Sequence, residues 1–125
     1  MNVVDSSAWL EYFANGPNAS FFAAAIEQTD ELVVPSLTIY EVFKRVFQQR
    51  DEGDALRAVA VMQQGRVVDL DVRLALTAAR LSVDTRLPMA DSVVLATARL
   101  NDATLWTQDA DFDRLPGVRY RPRKS

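Results

Sequence analysis

Four acids in this chain have the type and placement to do chemistry together: Asp5, Glu41, Asp91 and Asp109. Asp5 ends the apolar run Val3-Val4, and Glu41 lies early in the helical segment after Val33-Val34-Pro35. Asp91 opens the segment Met89-Ala90-Asp91-Ser92, and Asp109 follows Leu105-Trp106-Thr107-Gln108. The chain contains no histidine and no cysteine. The usual general base, the commonest zinc ligand, thiolate nucleophiles and disulfides are therefore all excluded. Catalysis at neutral pH must come from carboxylates, hydroxyls, Lys or Arg, or from a cation held by oxygen. Carboxylates brought to about 4 Å repel by roughly 4 kcal/mol per pair at an effective dielectric of 20. A cluster of them calls for protons or a hard cation. All-oxygen ligands suit Mg²⁺ or Mn²⁺, and a water activated there is suited to phosphodiester hydrolysis.

The elements that must position these acids follow from the periodicity. Asn2 to Val4 reads as a short buried strand, with Ser6 and Ser7 opening a helix to Phe13. Asn15-Gly16-Pro17-Asn18 is a turn, and a second helix passes through Phe21, Phe22, Ala25 and Ile26 until Asp30. Glu31 to Val34 is a strand closed by Pro35, with Ser36 as N-cap of a helix from Leu37 to about Arg50. A fourth helix is expected from Ala55 to about Gln64, and Arg66 to Leu70 is a third strand. Asp71 caps a fifth helix, and a sixth runs from Met89 to about Leu100. Ala103 to Trp106 is a fourth strand, and Val118 to Tyr120 a short edge strand. Short apolar strands alternating with helices predict an α/β fold. The sheet should be mostly parallel, with four to five strands and helices on both faces. No repeat or linker divides the chain, so one domain over 1–125 is expected.

In such a sheet the strand C-termini and the following helix N-termini share one edge, so all four acids can converge there. Each also has a local explanation. Asp5 serves as an N-cap, Glu41 pairs with Arg45 at i,i+4, Asp91 satisfies a helix dipole, and Asp109 forms an Asx-turn. Val94, Leu95 and Ala98 continue the Asp91 face, which is thus predicted to meet the core.

In order and spacing, Val3-Val4-Asp5-Ser6-Ser7, Glu41, Leu87-Pro88-Met89-Ala90-Asp91-Ser92 and Thr107-Gln108-Asp109-Ala110-Asp111-Phe112 resemble a PIN-domain ribonuclease. More specifically, they resemble the toxin of a VapBC-type toxin–antitoxin pair. Each motif is weak alone; the ordered set spans nearly the whole chain. The resemblance implies a Mg²⁺- or Mn²⁺-dependent endoribonuclease. Asp5 and Asp91 would be its principal metal ligands, with Asp109 a further ligand and Glu41 orienting a metal-bound water. Thr107 and Ser6 would hold neighbouring carboxylates by hydrogen bonds, and Asp111 would be structural, capping the turn before Phe112. It also implies an antitoxin that blocks the pocket and a second copy of the chain as a homodimer. Apolar residues of the early helices (Trp9, Tyr12, Phe13, Phe43 and Phe47) would serve either those contacts or the core.

Composition adds limits. With 49% hydrophobic and 25% charged residues and a formal charge of −3, the chain is an ordinary globular one, not one that grips nucleic acid by bulk charge. No signal peptide and no apolar run of about 18 residues is present, so a cytoplasmic protein without a membrane span is expected. Arg119, Arg121, Arg123 and Lys124 make a basic end whose last residues, 121–125, are either a flexible tail or a contact for RNA phosphates. Two rivals remain. A receiver-type phosphoacceptor domain would need an acid beside Asp5 and a late lysine, and only Lys44 and Lys124 exist. A catalytically silent PIN-like module would bind RNA or protein without cutting.

Overall fold

The computed structural model describes residues 1–124. The elements in chain order are β1 (Asn2–Val4), α1 (Ser6–Phe13), α2 (Ala19–Ile26), β2 (Leu32–Pro35), α3 (Ser36–Gln49) and α4 (Glu52–Met62). They are followed by β3 (Arg66–Val68), α5 (Val72–Thr85), α6 (Met89–Leu100), β4 (Thr104–Thr107) and β5 (Val118–Tyr120). The strands form one sheet in the order β3-β2-β1-β4-β5. All four pairings are parallel, so the "mostly parallel" expectation becomes an entirely parallel sheet of five strands. The chain builds outward from β1 through β2 to β3, then returns to the other side of β1 with β4. The β1–β4 boundary is the point where the winding reverses. Open α/β sheets have their crevice there, beyond the strand C-termini.

Strand alternation sorts the core. Val4, Leu32, Val34 and Trp106 face a layer containing Ala8, Trp9, Phe22, Ile26, Val42, Ala58 and Met62, from α1 to α4. Val3, Val33 and Leu105 face Val94, Leu95 and Ala98 of α6, closed below by Phe112. Helix α5 packs on α6 through Leu74 and Ala78. As a result, every residue of α6 from Ser92 to Ala98 is buried. The predicted inward face of that helix is correct, but incomplete, because α5 covers the other side too. Among the described residues, no helix is long and apolar enough to cross a membrane.

Element boundaries differ from the sequence expectation where caps decide them. Ser36 is the first helical residue, not the cap. Pro35 takes the cap position, and the Thr38 hydroxyl bonds its carbonyl at 2.7 Å. Helix α4 starts at Glu52, not Ala55, because the Asp51 carboxylate accepts from the Asp54 amide. The second helix ends at Ile26, and a 3₁₀ turn over Thr29–Glu31 fills the gap to β2. Strand β4 runs one residue later than expected, through Thr107, in register with Tyr120 of β5.

Gly65 ends the α4–β3 connection directly over β2. A Cβ there would lie 2.9 Å from Val34 Cγ2 and 3.0 Å from the Leu32 carbonyl oxygen. The backbone oxygen cannot give way as a flexible side chain would. Gly65→Ala is therefore expected to destabilise the fold by about 1–3 kcal/mol, read as a lower urea midpoint at unchanged m-value.

Candidate active site at the β1–β4 edge

Asp5 is the N-cap of α1, and its Oδ1 accepts the Ala8 amide at 3.0 Å and the Ser7 hydroxyl at 2.8 Å. Its Oδ2 accepts the Thr107 hydroxyl at 2.7 Å, across the β1–β4 boundary. The cap and the site are thus one residue, and the local explanation of Asp5 is true without excluding the other. Thr107 is fully buried and does a second job, since its Oγ1 accepts the Asp109 amide at 2.9 Å. Asp109 in turn caps the short turn Ala110–Phe112 by accepting the Asp111 amide at 2.9 Å.

Asp91 stands in the first turn of α6, half-buried at the same edge. Asp91, Asp109 and Asp111 each bring a carboxylate oxygen within 4.8 Å of the others. This changes the reading of Asp111. Asp109 does the capping, which leaves the Asp111 carboxylate free to join the acid group. Asp5 is not one of that trio; its oxygens are turned toward Thr107, Ser7 and Ala8. Glu41 lies in the second turn of α3, half-buried. The alternative explanation of Glu41, an ion pair with Arg45, is not formed among the described residues; the pairs present are Met1–Glu31, Arg50–Asp54 and Arg57–Asp54.

The electrostatics show how closely these groups share a field. Burial pushes the Asp91 carboxyl up to about 7, and the charges of Asp109, Asp5, Asp111 and Glu41 all add to the rise. Burial likewise raises Asp5 to about 6, against the hydrogen bonds from Thr107, Ala8 and Ser7 that favour its charged form. Glu41 is raised by burial and held back by the Ser6 side chain. Ser7 thus serves Asp5 by a hydrogen bond, while Ser6 bears on Glu41. Ser7 was not singled out from sequence, although an Asp-x-Ser spacing at a helix start is a recognisable signal for such a bond. Gln108 and Asn18 were also missed. Both are buried polar residues, and nothing in their local sequence marks them.

The family profile of the PIN domain matches residues 3–118. The chain belongs to the PIN domain family. Solved structures agree in fold. A toxin–antitoxin complex from Klebsiella pneumoniae superposes with TM-score 0.81 at 21% identity, covering 95% of this chain and 96% of that one. VapC20 of Mycobacterium tuberculosis, described as a sarcin-ricin loop cleaving toxin, gives 0.79 at 18% identity, covering 98% and 100%. A DNA-bound VapBC from Salmonella typhimurium gives 0.74 at 15%, covering 98% of each. Comparison with curated protein sequences gave no match. This PIN domain thus shares its fold over nearly its full length with toxins of VapBC pairs.

The donor set fits a hard divalent cation: three carboxylates converge, all ligands are oxygen, and the neighbouring charges already oppose ionisation of Asp91. A group whose folded pKa is raised stabilises the fold fully below its unfolded pKa, and loses that contribution as pH rises through the folded value. For Asp91 the window runs from 3.8 to about 7. In EDTA, the wild type is expected to lose thermal stability across this window, and Asp91→Asn to lose less. With solvent screening of a half-exposed group allowed for, the variant should gain on the order of 1–2 kcal/mol at pH 8. Melting followed by circular dichroism at pH 5 and pH 8 measures it, and added Mg²⁺ should close the gap at pH 8.

Proposed function

We propose that this PIN domain is a divalent-metal-dependent endoribonuclease and the toxin of a VapBC-type pair. The observation that carries the reading is the convergence of Asp91, Asp109 and Asp111 at the β1–β4 edge, with a carboxylate oxygen of each within 4.8 Å of the others. Mg²⁺ or Mn²⁺ would be held by Asp91 and Asp109, with Asp111 or Asp5 completing the oxygen set. When bound, the cation supplies charge neutralisation for a phosphodiester and a means of lowering the pKa of water.

The chain's own residues set up the rest. Thr107 ties Asp5 Oδ2 and the Asp109 backbone together through one hydroxyl, which links the acids that follow β1 and β4. Half-buried, with its carboxyl raised by burial, Glu41 is the residue assigned to take a proton from an attacking water. Ser6 orients it. RNA is the substrate class this reading assigns, and an antitoxin the partner. A homodimer completes it, and the cytoplasm is the compartment where such a pair would act.

The aromatic residues raised as contact candidates divide. Trp9 is wholly buried, and Tyr12 and Phe13 pack against the core. Phe47 is 47% exposed, stacks edgewise on Phe43, and lies on the same helix as Tyr40, which is 61% exposed. Phe47 is therefore the residue for a partner test. Phe47→Glu should keep its melting temperature within about 2 °C, in line with a surface change, and shift the elution volume of the purified protein toward the monomer. An unchanged oligomer would remove this face from the interface.

The direct test is cleavage of cellular RNA by purified protein with Mg²⁺ or Mn²⁺, then with EDTA. Asp91→Asn and Asp109→Asn should lower cleavage by about 100-fold or more while their circular dichroism stays native. Asp111→Asn should lower it less, since this acid is exposed. Cutting that survives Asp91→Asn or EDTA would defeat the proposal. Metal binding without cutting would favour the silent binding module instead.

A further inference from the structure

The basic C-terminal segment is tied to the site by contacts that the nuclease reading does not use. Arg121 donates its backbone N–H to the Thr107 carbonyl at 3.0 Å. Its guanidinium lies 4.2 Å from the Phe21 ring centroid, and that of Arg119 lies 4.4 Å from Trp106. One residue further, the Pro122 carbonyl accepts from Asn18 Nδ2 at 3.0 Å. The same Nδ2 donates to Gln108 Oε1 at 3.1 Å, and Gln108 Nε2 reaches the Ser7 carbonyl at 3.4 Å.

Asn18 is wholly buried and Gln108 nearly so. Asn18 occupies the N-cap position of α2 yet caps nothing with its side chain, which is committed to Gln108 and Pro122. Its Oδ1 has no hydrogen-bond partner among the described residues. The Nδ2 group spends both its hydrogens, on Gln108 and on Pro122, and these two acceptors set the orientation of the side chain even though its oxygen goes unpaired. Gln108 sits between Thr107 and Asp109, and Ser7 is the residue whose hydroxyl holds Asp5. The amide pair therefore touches the backbone on both sides of the β1–β4 edge.

The geometry points to a positioning clamp: Asn18, Gln108 and the Pro122 carbonyl lock the C-terminal segment to the site and hold Asp5 and Asp109 at their working separation. Asn18 and Gln108 are positioning residues in this scheme, and the tail as far as Pro122 is a strap. For its activity readout the inference rests on the proposed nuclease function; its geometric readout does not.

Three variants test it: Asn18→Ala, a chain ending at Arg121, and the two combined. In metal-free protein, hydrogen exchange is followed at the Ala8 amide, bonded to Asp5, and at the Asp109 amide, bonded to Thr107, with Leu95 in α6 as internal control. Each single variant is expected to speed exchange at Ala8 and Asp109 by about tenfold with Leu95 unchanged. Mn²⁺ binding by calorimetry should weaken by roughly tenfold, and kcat on RNA should fall with KM unchanged. The combined variant should be no worse than either single one, because both break one device. Unchanged exchange at Ala8 and Asp109, or additive losses, would overturn the clamp. A rise in KM at constant kcat would overturn it in favour of RNA contact by the tail. If Asn18→Ala fails to fold, the shortened chain decides alone. Faster exchange in the variants of a wild type that neither binds Mn²⁺ nor cuts RNA would uphold the clamp and refute the nuclease.

Discussion

The hydroxyl of Thr107 joins two strand ends that the backbone ladder alone would leave free beyond their last hydrogen bonds. It donates to Asp5 at the end of β1 and accepts the amide of Asp109 beyond β4. Helix α1 follows β1 directly and a short 3₁₀ turn follows β4, and each of the two is opened by an acid that caps it. A single buried side chain with one donor and an available acceptor lone pair holds both. The remaining features gather around that link. Helix α1 starts from Asp5, the turn before Phe112 starts from Asp109, and α6 carries Asp91 in from the other face of the sheet.

Sheet topology explains why this link can exist. Strands β1 and β4 are neighbours in space although about a hundred residues separate them, because the chain reverses its winding direction between β3 and β4. Had β4 continued beyond β3, Asp109 would lie three strands from Asp5. The hydrophobic sorting of Val3 and Leu105 to one face and Val4 and Trp106 to the other fixes the register, since a slip of one residue would exchange both sets. The acid group is thus a consequence of apolar patterning in residues that take no part in chemistry.

Much of this was legible in the sequence. Asp5, Glu41, Asp91 and Asp109 could be placed at one edge because each follows a strand or opens a helix after one, a local fact that periodicity reveals. The buried strands and the inward face of α6 were legible for the same reason. What escaped is tertiary. Asp111 looked like a turn cap because Asp and turns go together, and only the fold shows Asp109 already in that role. Ser36 looked like a cap because the residue type allows it, whereas Pro35 occupied the position. Asn18 and Gln108, ninety residues apart in sequence, carry no pattern that could announce their hydrogen bond. Polar pairs of that kind are specified by packing, and packing is not periodic.

Helix α6 is enclosed by the sheet on one side and α5 on the other, with no exposed residue between Ser92 and Ala98. An acid mounted on such an element cannot retreat when its charge becomes unfavourable, because moving it means disturbing two packed layers. Unfavourable charge at Asp91 is therefore met by holding the proton to higher pH and not by displacing the helix. A change in the charge of this acid group should register in a calorimeter far more strongly than in the positions of the backbone atoms.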